Sequence, residues 1–248
     1  MGNLEDYSDD EFRTELQTIT SMLLVDPLCV PVEHPEAFLL GGQSGAGKTT
    51  LHRLLQVRLS DNAIVVNGDE YRSRHPRFEQ ISVQYGVDAP ARTAAWAGCM
   101  VEAVVDALSV MGYNLVIEGT LRTSEVPLKT AQLLHGRGYR VSLALMAVKP
   151  EISLVSCQLR YEQMRLAGTE PRAVDSAYHL AIVEGIVGNL ATLEESGMFD
   201  SVSCILAASN ACSAAMTEKV RHMRRSRASS SATGPQRSAD TYPTSRGV

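Results

Sequence analysis

The pattern of hydrophobic positions along the chain predicts an alternation of strands and helices. Five short apolar runs are typical of buried strands, at 37–40, 63–66, 115–117, 141–148 and 202–207. Elsewhere apolar residues recur every three or four positions, which predicts helices at 48–59, 91–111, 126–135, 150–166 and 175–195. This alternation indicates an α/β fold, with a mainly parallel sheet and helices on both of its faces.

The N-terminal segment has a helical pattern of its own. Ser8 and Glu11 have the Ser-x-x-Glu spacing of a capping box, and apolar residues follow them at helical spacing. We expect an amphipathic helix within residues 1–24. Prolines at positions 27, 31 and 35 then indicate a connector over residues 25–36.

Charge is distributed unevenly over the 248 residues. The net charge is −5, but residues 221–248 carry six Arg and one Asp, which leaves −10 for residues 1–220. An acidic body is a poor general nucleic-acid binder, because backbone binding relies on clustered Lys and Arg. Residues 221–248 are rich in Ser and Arg and poor in large apolar side chains, which predicts a disordered basic tail. Such a tail is either an inert solvated segment or a contact for nucleic acid or membrane.

Cysteine usage and hydropathy favour a cytoplasmic protein. The five cysteines form no C-x-x-C pair, which predicts reduced, mostly buried thiols and argues against a disulfide framework or a zinc site. No apolar run approaches the ~20 residues that a membrane-spanning helix needs. The acidic N-terminus argues against a secretory signal, so we expect no membrane segment.

The most specific motif lies between the first predicted strand and the helix that follows it. Residues 42–49 fit G-x-x-x-x-G-K-[ST], in which backbone N–H groups and a helix N-terminus surround a polyphosphate. In that role Lys48 reaches the β- and γ-phosphates, and the Thr49 hydroxyl binds Mg²⁺. The expected nucleotide-binding residues are Gly42, Gln43, Ser44, Gly45, Ala46, Gly47, Lys48, Thr49 and Thr50.

Neither chance nor a nucleophile elbow explains this motif as well as a phosphate loop does. Chance would place the four fixed positions together in roughly one chain in a hundred of this length, and the flanking strand and helix make chance rarer still. A nucleophile elbow needs G-x-S-x-G, but Ala46 stands where its second glycine belongs. We therefore expect residues 37–220 to form a P-loop domain of the NTPase or kinase type.

Polar residues also follow the second and third predicted strands: Asp69, and then Glu118, Thr120 and Arg122. Ligands of open α/β sheets bind beyond the carboxyl ends of the strands, so these groups are expected to share one cleft with the phosphate loop. Phosphoryl transfer to a hydroxyl needs a carboxylate to take the proton, and Asp69 is the first candidate. Asn-Gly-Asp is also good turn chemistry, so a turn role for Asp69 stays open.

The remaining candidates have equally ordinary alternatives. Glu118 is either an acid that organises Mg²⁺ through water or a hydrogen-bonding neighbour of the site, and Arg122 could be a plain surface arginine. Glu102 lies opposite the apolar stripe of its helix, where a solvated carboxylate is the default. Arg160 and Arg172 flank a predicted break between two late helices, where arginines either close over phosphates as part of a lid or face solvent.

Several segments together resemble the zeta toxins, which are bacterial P-loop kinases of toxin–antitoxin systems. The resemblance runs from the N-terminal helix to about residue 205. It is carried by the extended phosphate loop at 39–50, Gly-Asp-x-Tyr-Arg at 68–72, Met-Val-Glu at 100–102, Ile-Glu-Gly-Thr-Leu-Arg-Thr at 117–123, Lys-Pro-Glu at 149–151 and Arg-Tyr-Glu at 160–162. It implies a kinase that uses ATP and Mg²⁺ to phosphorylate the 3′-hydroxyl of the amino sugar in UDP-N-acetylglucosamine, with a product that interferes with peptidoglycan synthesis.

The resemblance also implies roles for individual residues. Lys48 and Thr49 match the residues that hold phosphate and Mg²⁺, and Asp69 matches the base for the sugar hydroxyl. The residues that match UDP-sugar or phosphate contacts are Glu102, Glu118, Thr120, Arg122, Arg160 and Arg172. A small helical antitoxin that blocks the nucleotide site, near the N-terminal part of the toxin, is the implied partner.

Three features depart from the family pattern. Asn67 stands where family members carry Asp, two residues before the expected base, which affects local charge or metal handling. The segment between Arg160 and Arg172 is one residue shorter, which makes the match of Arg172 less direct. The tail has no counterpart in the family.

Two further functions remain open on the sequence. One is phosphorylation of a different hydroxyl, such as that of an antibiotic, a nucleoside or a polynucleotide 5′-end. The second is a nucleotide-dependent switch or scaffold without transfer. A GTPase would normally carry an N-K-x-D motif, and the sequence contains none.

Overall fold

A computed structural model describes residues 3–168, 174, 176–206 and 217–219. The predicted N-terminal helix, the connector and most of the predicted P-loop domain lie within this part of the chain. Arg172 and the predicted tail at 221–248 lie outside it, and so does Cys212.

A six-stranded sheet forms the centre of the fold. Its strands are β1 (Glu36–Gly41), β2 (Ile64–Asn67), β3 (Leu115–Glu118), β4 (Arg140–Ala147), β5 (Ser201–Leu206) and β6 (Thr217–Lys219), in the order β2-β3-β1-β4-β5-β6. The first five strands are parallel, and β6 pairs antiparallel with β5. The predicted parallel sheet is confirmed, and each predicted strand lies within one residue of its observed bounds.

Nine α-helices surround the sheet in the described residues. They are α1 (Asp9–Leu23), α2 (Lys48–Arg58), α3 (Gly68–Tyr71), α4 (Phe78–Tyr85), α5 (Ala89–Arg92), α6 (Ala94–Val110), α7 (Glu125–Gly136), α8 (Pro150–Leu166) and α9 (Ser176–Glu195). The predicted helices at 48–59, 126–135, 150–166 and 175–195 agree with these bounds to within one residue.

The region between β2 and α6 differs from the prediction. The short helices α3, α4 and α5 were not expected, and α6 begins at Ala94 instead of residue 91. The break arises at Thr93, whose backbone leaves the helical region and whose hydroxyl donates to the carbonyl of Ala89 (3.1 Å). At the C-terminal end of α6, Met111 was expected on the buried face but is exposed, because the helix has already ended at Val110.

Successive side chains of β1 face two separate cores, as a strand covered on both faces requires. Ala37 and Leu39 belong to the larger core, to which α1, α6, α7 and α9 contribute. Phe38 and Leu40 belong to a smaller core, to which α2 contributes. Helices therefore cover both faces of the sheet, as predicted.

The N-terminal helix packs on α6 and is held at its start. The predicted capping box is present, since Glu11 N–H donates to Ser8 Oγ (3.2 Å) and Ser8 N–H donates to Glu11 Oε2 (2.7 Å). The rings of Tyr7 and Phe12 meet Trp96 edge-on, at centroid distances of 4.8 and 5.4 Å. These contacts attach α1 to the larger core, and the division of the chain at residue 24 stays a prediction.

The cysteines depart from expectation in their burial. The four described ones, Cys29, Cys99, Cys157 and Cys204, are free. Only Cys157 of these four is buried, and Cys99 is exposed on α6, so the prediction of mostly buried thiols is wrong. Composition cannot reveal this, because it does not say which face of a helix a cysteine occupies.

Among the described helices, none is by itself both long and apolar enough to cross a membrane. One bent pair, Phe78–Arg92 with Ala94–Val110 at 52°, satisfies the same length and composition criteria jointly. The second member of that pair contributes Trp96, Met100 and Leu108 to the larger core.

Candidate active site

The phosphate loop (residues 42–49) connects the central strand β1 to α2. Gly45 has φ +77°, a left-handed conformation that side chains with a Cβ rarely adopt. A Cβ at this position would lie 2.2 Å from the carbonyl oxygen of Ser153 on α8. The loop therefore needs a glycine here both for its backbone conformation and for its close contact with α8.

Lys48 begins α2 and is held at the centre of this loop. Its side chain is only 9% exposed. Its Nζ donates to the carbonyl oxygens of Gly42 (2.9 Å) and Gln43 (3.3 Å) and lies 3.5 Å from Glu118 Oε1 at the end of β3. Because the β1–β3 register places Leu40 beside Glu118, the strand pairing itself brings this acid to the loop.

Glu118 lies between two basic side chains of α2. Its Oε2 is 3.3 Å from Nε2 of His52, one helical turn after Lys48. Burial lowers the pKa of His52, and the neighbouring Lys48 lowers it further, although Glu118 acts in the opposite direction. The surroundings of His52 therefore disfavour its positively charged form. This histidine was not predicted as a site residue, although its spacing of four from Lys48 places both on one face of α2.

Asp69 lies directly after β2, at the start of α3. The side chain of Asn67 caps this helix by accepting a hydrogen bond from Asp69 N–H (3.1 Å). Asp69 Oδ1 accepts a hydrogen bond from Arg72 Nε (2.9 Å), and Arg72 also donates to the carbonyl of Pro90. The candidate base is thus oriented by Arg72, a residue whose role was not predicted from the sequence. Asn67 thus serves as the cap of this helix.

The loop that follows β3 carries Thr120 and Arg122. Its middle residue, Leu121, is buried and has φ +55°. Asn189 of α9 donates through Nδ2 to the carbonyl oxygens of Leu121 (2.9 Å) and Arg122 (2.7 Å). These two hydrogen bonds fix the loop from a helix that is distant in sequence, and Asn189 was not among the predicted site residues.

Glu102 and Lys129 approach each other from α6 and α7. Lys129 Nζ donates to Glu102 Oε2 (2.7 Å), and the side chains of Lys129 and Glu102 are 71% and 50% exposed. Glu102 is solvated, as expected from its position opposite the apolar stripe, but it also faces the cleft described next.

A cleft of about 1150 Å³ joins these features. The predicted site residues that line it are Ser44, Lys48, Asp69, Glu102, Glu118, Thr120 and Arg122. The expectation that the strand ends share one cleft with the phosphate loop is therefore confirmed by the geometry. Thr49 and Thr50 are exposed at the start of α2, beside the loop.

Arg160 is exposed on α8. One turn before it, Cys157 Sγ would lie 2.8 Å from a Cβ placed on Gly45. Burial raises the pKa of the Cys157 thiol, while the positive charges of Arg160 and Lys48 oppose that change. The side of α8 that carries Arg160 therefore faces the loop. Arg172, its predicted partner, lies outside the described residues.

The side chains near the loop suit a magnesium ion that also binds phosphate. Within the described residues, no group of three or more His, Cys, Asp or Glu side chains could hold a metal by itself. Mg²⁺ usually binds through one or two oxygen ligands of the protein together with water and substrate phosphates. The Thr49 hydroxyl beside the loop and the Glu118 carboxylate are oxygen ligands of this kind.

The parallel sheet, the glycine-rich loop after its central strand and the lysine at the start of α2 define a P-loop protein of the kinase-like class. A family model described as "Zeta toxin" matches residues 20–224. The chain belongs to the zeta toxin family, as the resemblance indicated.

Curated relatives agree with this membership. The chain is 44% identical over 200 residues to Toxin PezT of Streptococcus pneumoniae, covering 80% of this chain and 78% of the relative. It is 35% identical over 205 residues to Toxin zeta of Streptococcus pyogenes, covering 82% of this chain and 70% of the relative. Family and fold together support a phosphotransferase that acts as a toxin.

Solved structures agree with the fold. A structure from the PezAT chromosomal toxin–antitoxin system of Streptococcus pneumoniae superposes with a TM-score of 0.74 at 41% identity, covering 83% of this chain and 80% of that one. A structure of the AvrRxo1-ORF1:-ORF2 complex with ATP superposes with a TM-score of 0.54 at 16% identity, covering 84% and 71%, and shares the fold alone.

Proposed function

We propose that this protein is an ATP- and Mg²⁺-dependent kinase that phosphorylates the 3′-hydroxyl of the amino sugar of UDP-N-acetylglucosamine. The observation that carries the proposal is the single cleft, in which Lys48 of the phosphate loop and the Asp69 carboxylate are both wall residues. This transfer requires two protein groups: a cation that binds the phosphates of the nucleotide, and a base that accepts the proton of the hydroxyl.

The donor side binds ATP through the phosphate loop. Backbone N–H groups of the loop and the N-terminus of α2 surround the phosphates, and the Lys48 ammonium neutralises their charge. Thr49 would hold Mg²⁺, which would supply further neutralisation of the β- and γ-phosphates. His52 Nε2 lies 3.3 Å from Glu118 Oε2, and burial disfavours a positive charge on its imidazole.

The acceptor side binds the sugar, whose hydroxyl is the nucleophile. The oxygen of the sugar hydroxyl attacks the γ-phosphorus, the bond from that phosphorus to the β–γ bridging oxygen breaks, and ADP leaves. The hydroxyl proton passes to Asp69, which Arg72 holds in place through the 2.9 Å hydrogen bond. Arg160 and Arg172 are proposed to neutralise the transferring phosphoryl group from the α8 side.

The UDP-sugar is proposed to bind between α6, α7 and the loop after β3. Glu102, Glu118 and Thr120 offer acceptors and a donor for sugar and base hydroxyl or amide groups, and Arg122 offers a cation for the diphosphate. The cleft volume of about 1150 Å³ accommodates a nucleotide sugar.

We further propose that the protein acts as the toxin of a toxin–antitoxin pair and that its product interferes with peptidoglycan synthesis. The relative from the PezAT toxin–antitoxin system supports an antitoxin partner. A small helical antitoxin near α1 and the nucleotide site is the proposed form of that partner. The cytoplasmic location stays a prediction from the sequence.

A direct assay tests the acceptor. The purified chain is incubated with ATP, Mg²⁺ and UDP-N-acetylglucosamine, and the nucleotide sugar is analysed by mass spectrometry for the addition of one phosphate. The analogue that lacks the sugar 3′-hydroxyl is the matched control and should remain unmodified. Transfer of phosphate to a different acceptor, with none to UDP-N-acetylglucosamine, would reject the proposed substrate and leave the kinase class standing.

A further inference from the structure

Beneath the phosphate loop lies a buried polar group that the proposed chemistry does not use. It consists of Gln43 of the loop, Ser153 of α8 and His179 of α9, which are 4%, 0% and 1% exposed. Polar side chains this deeply buried are costly unless they are hydrogen-bonded to one another. The presence of three such side chains at one buried position therefore calls for a physical reason.

Ser153 is the centre of this group. Gln43 Nε2 donates to Ser153 Oγ (3.3 Å) and to the carbonyl of Val148 (2.9 Å), which fixes the orientation of the Gln43 amide. Ser153 Oγ is 2.9 Å from the carbonyl oxygen of Pro150 and 2.9 Å from His179 Nε2.

Counting donors and acceptors identifies the form of His179. A serine hydroxyl has one proton to donate and two lone pairs that accept. The carbonyl of Pro150 can only accept, and its 2.9 Å distance from Ser153 Oγ assigns the Ser153 proton to it. Gln43 donates to one lone pair, and with the Ser153 proton assigned to Pro150 the second lone pair is paired when His179 donates through Nε2–H. His179 Nδ1 has no hydrogen-bond partner in the described part of the chain.

The group joins three segments that border the proposed ATP site. Ser153 also contacts the loop through its backbone, because its carbonyl oxygen occupies the space where a Cβ on Gly45 would lie. The same helix, α8, carries Arg160 two turns later. His179 belongs to α9, the helix that also fixes the loop after β3 through Asn189.

We propose that His179 is a positioning residue, which acts through Ser153 and Gln43 to hold the phosphate loop in its ATP-binding conformation against α8 and α9. The proposal rests on ATP binding at the phosphate loop as proposed above, but it does not depend on which hydroxyl accepts the phosphate. A side chain at position 179 that only fills space would leave one lone pair of Ser153 unpaired. The Ser153 hydroxyl, to which Gln43 donates, would then be held less firmly.

The first test is spectroscopic and reads the hydrogen bond in the wild-type chain. In the wild-type chain labelled with ¹⁵N-histidine, the imidazole of His179 should carry a proton on Nε2, and its signals are assigned by their absence in His179→Gln. A predominant Nδ1–H tautomer would overturn the hydrogen-bond assignment. In Ser153→Ala the strong preference for Nε2–H should be lost.

The second test separates positioning from simple packing. His179→Phe should weaken Mg·ATP binding about tenfold in calorimetry, because one buried hydrogen bond is lost. His179→Gln should bind within about twofold of wild type, since its amide nitrogen can donate from nearly the same place. Ser156→Ala is the control, because Ser156 Oγ donates only to Ile152 within α8 (2.8 Å).

The outcomes distinguish this inference from the proposed function. If Mg·ATP binding falls in His179→Phe and recovers in His179→Gln, the inference stands even when UDP-N-acetylglucosamine is not phosphorylated. If folded His179→Phe binds Mg·ATP as tightly as wild type, the inference fails, whatever the acceptor. If the Phe variant does not fold, the comparison of Ser153→Ala with Ser156→Ala gives the same decision.

Discussion

The two sides of the cleft are held in place by different physical means. On the donor side, Gln43 and Lys48 are almost fully buried and bond to backbone carbonyls and to further buried groups. On the acceptor side, the Asp69 and Glu102 side chains are each 50% exposed and pair with Arg72 and Lys129. Exposed ion pairs contribute roughly 0–1 kcal/mol each, so the acceptor side can change its residues at little cost to the fold. The donor side cannot, because its geometry is part of the core.

The largest expected effect is on transfer by the acceptor side. Asp69→Asn keeps the size of the side chain and an acceptor for Arg72, but it removes the carboxylate that we propose as the proton acceptor. We expect kcat to fall by about 10²- to 10⁴-fold with the affinity for ATP unchanged. Steady-state kinetics and ATP calorimetry measure the two quantities separately.

The matched control for this variant is Glu70→Gln, which changes the adjacent exposed carboxylate. It should keep nearly all activity. Full activity in Asp69→Asn would show that another group accepts the proton.

The second effect is on the stability of the donor side. Gly45→Ala forces a Cβ against the backbone of α8 and also strains the left-handed φ of +77°. We expect about 3 kcal/mol of lost stability, from backbone strain of about 1–2 and overpacking of about 1–3 kcal/mol. Urea denaturation measures this loss.

Gly47→Ala measures the cost of a left-handed backbone without the contact with α8. Gly47 has a φ of +86°, and a Cβ there would meet no heavy atom within 4 Å. Its loss of stability should be only about 1–2 kcal/mol. Equal losses in the two variants would contradict the importance of the contact with α8.

A smaller effect is expected at Asn189 of α9, the helix that contacts both sides of the cleft. Asn189→Ala removes both hydrogen bonds that hold the loop after β3, which should raise KM for the nucleotide sugar several-fold and cost about 1–2 kcal/mol of stability. KM for ATP should stay unchanged. Thr192→Ala, an exposed change one turn later on α9, is the control; a rise in both KM values would show that the loop also supports the donor side.

The smallest effect concerns acidification. Burial lowers the pKa of His52, so below about pH 6.5 the unfolded imidazole takes up a proton that the folded one resists. The folded state then binds fewer protons, and stability falls as pH decreases through this range. The pKa of His75 is also lowered by burial and adds in the same direction.

The thermal midpoint should therefore be lower at pH 5.5 than at pH 7.5, and His52→Gln should show a smaller difference between the two. Glu118, Lys48 and Glu70 are the charged groups that act on His52. An unchanged pH difference in His52→Gln would assign the effect to His75 and further groups.

Local patterns in the sequence were sufficient to predict the strands of the sheet and the phosphate loop. Buried strands are continuous apolar runs, and the glycine loop is a contiguous motif, so both can be read without knowledge of the rest of the chain. The short helices between β2 and α6 could not be read in this way. They are held by distant contacts, such as the hydrogen bond from Trp96 Nε1 to the carbonyl of Tyr71 (2.9 Å).

The candidate site was predicted through residues that follow strands, and its supporting residues were missed. Asp69 and Glu118 were identified because parallel strands end at one edge of the sheet. Asn189 lies 68 residues from the carbonyl of Leu121, and no local spacing links the two. Arg72 and His52 were within one turn of predicted residues, so helix spacing could have indicated them.

The place of β1 in the sheet has a consequence for how the molecule opens. With β3 on one side and β4 on the opposite side, the backbone of β1 is enclosed within the sheet. Amide protons of such a strand exchange with solvent only through the rarest, most global openings. The nucleotide-binding segment is thus anchored to the part of the chain that unfolds last, whereas the short helix α3, which carries Asp69, can fray without disrupting it. Partially unfolded forms would then lose the acceptor before they lose the donor.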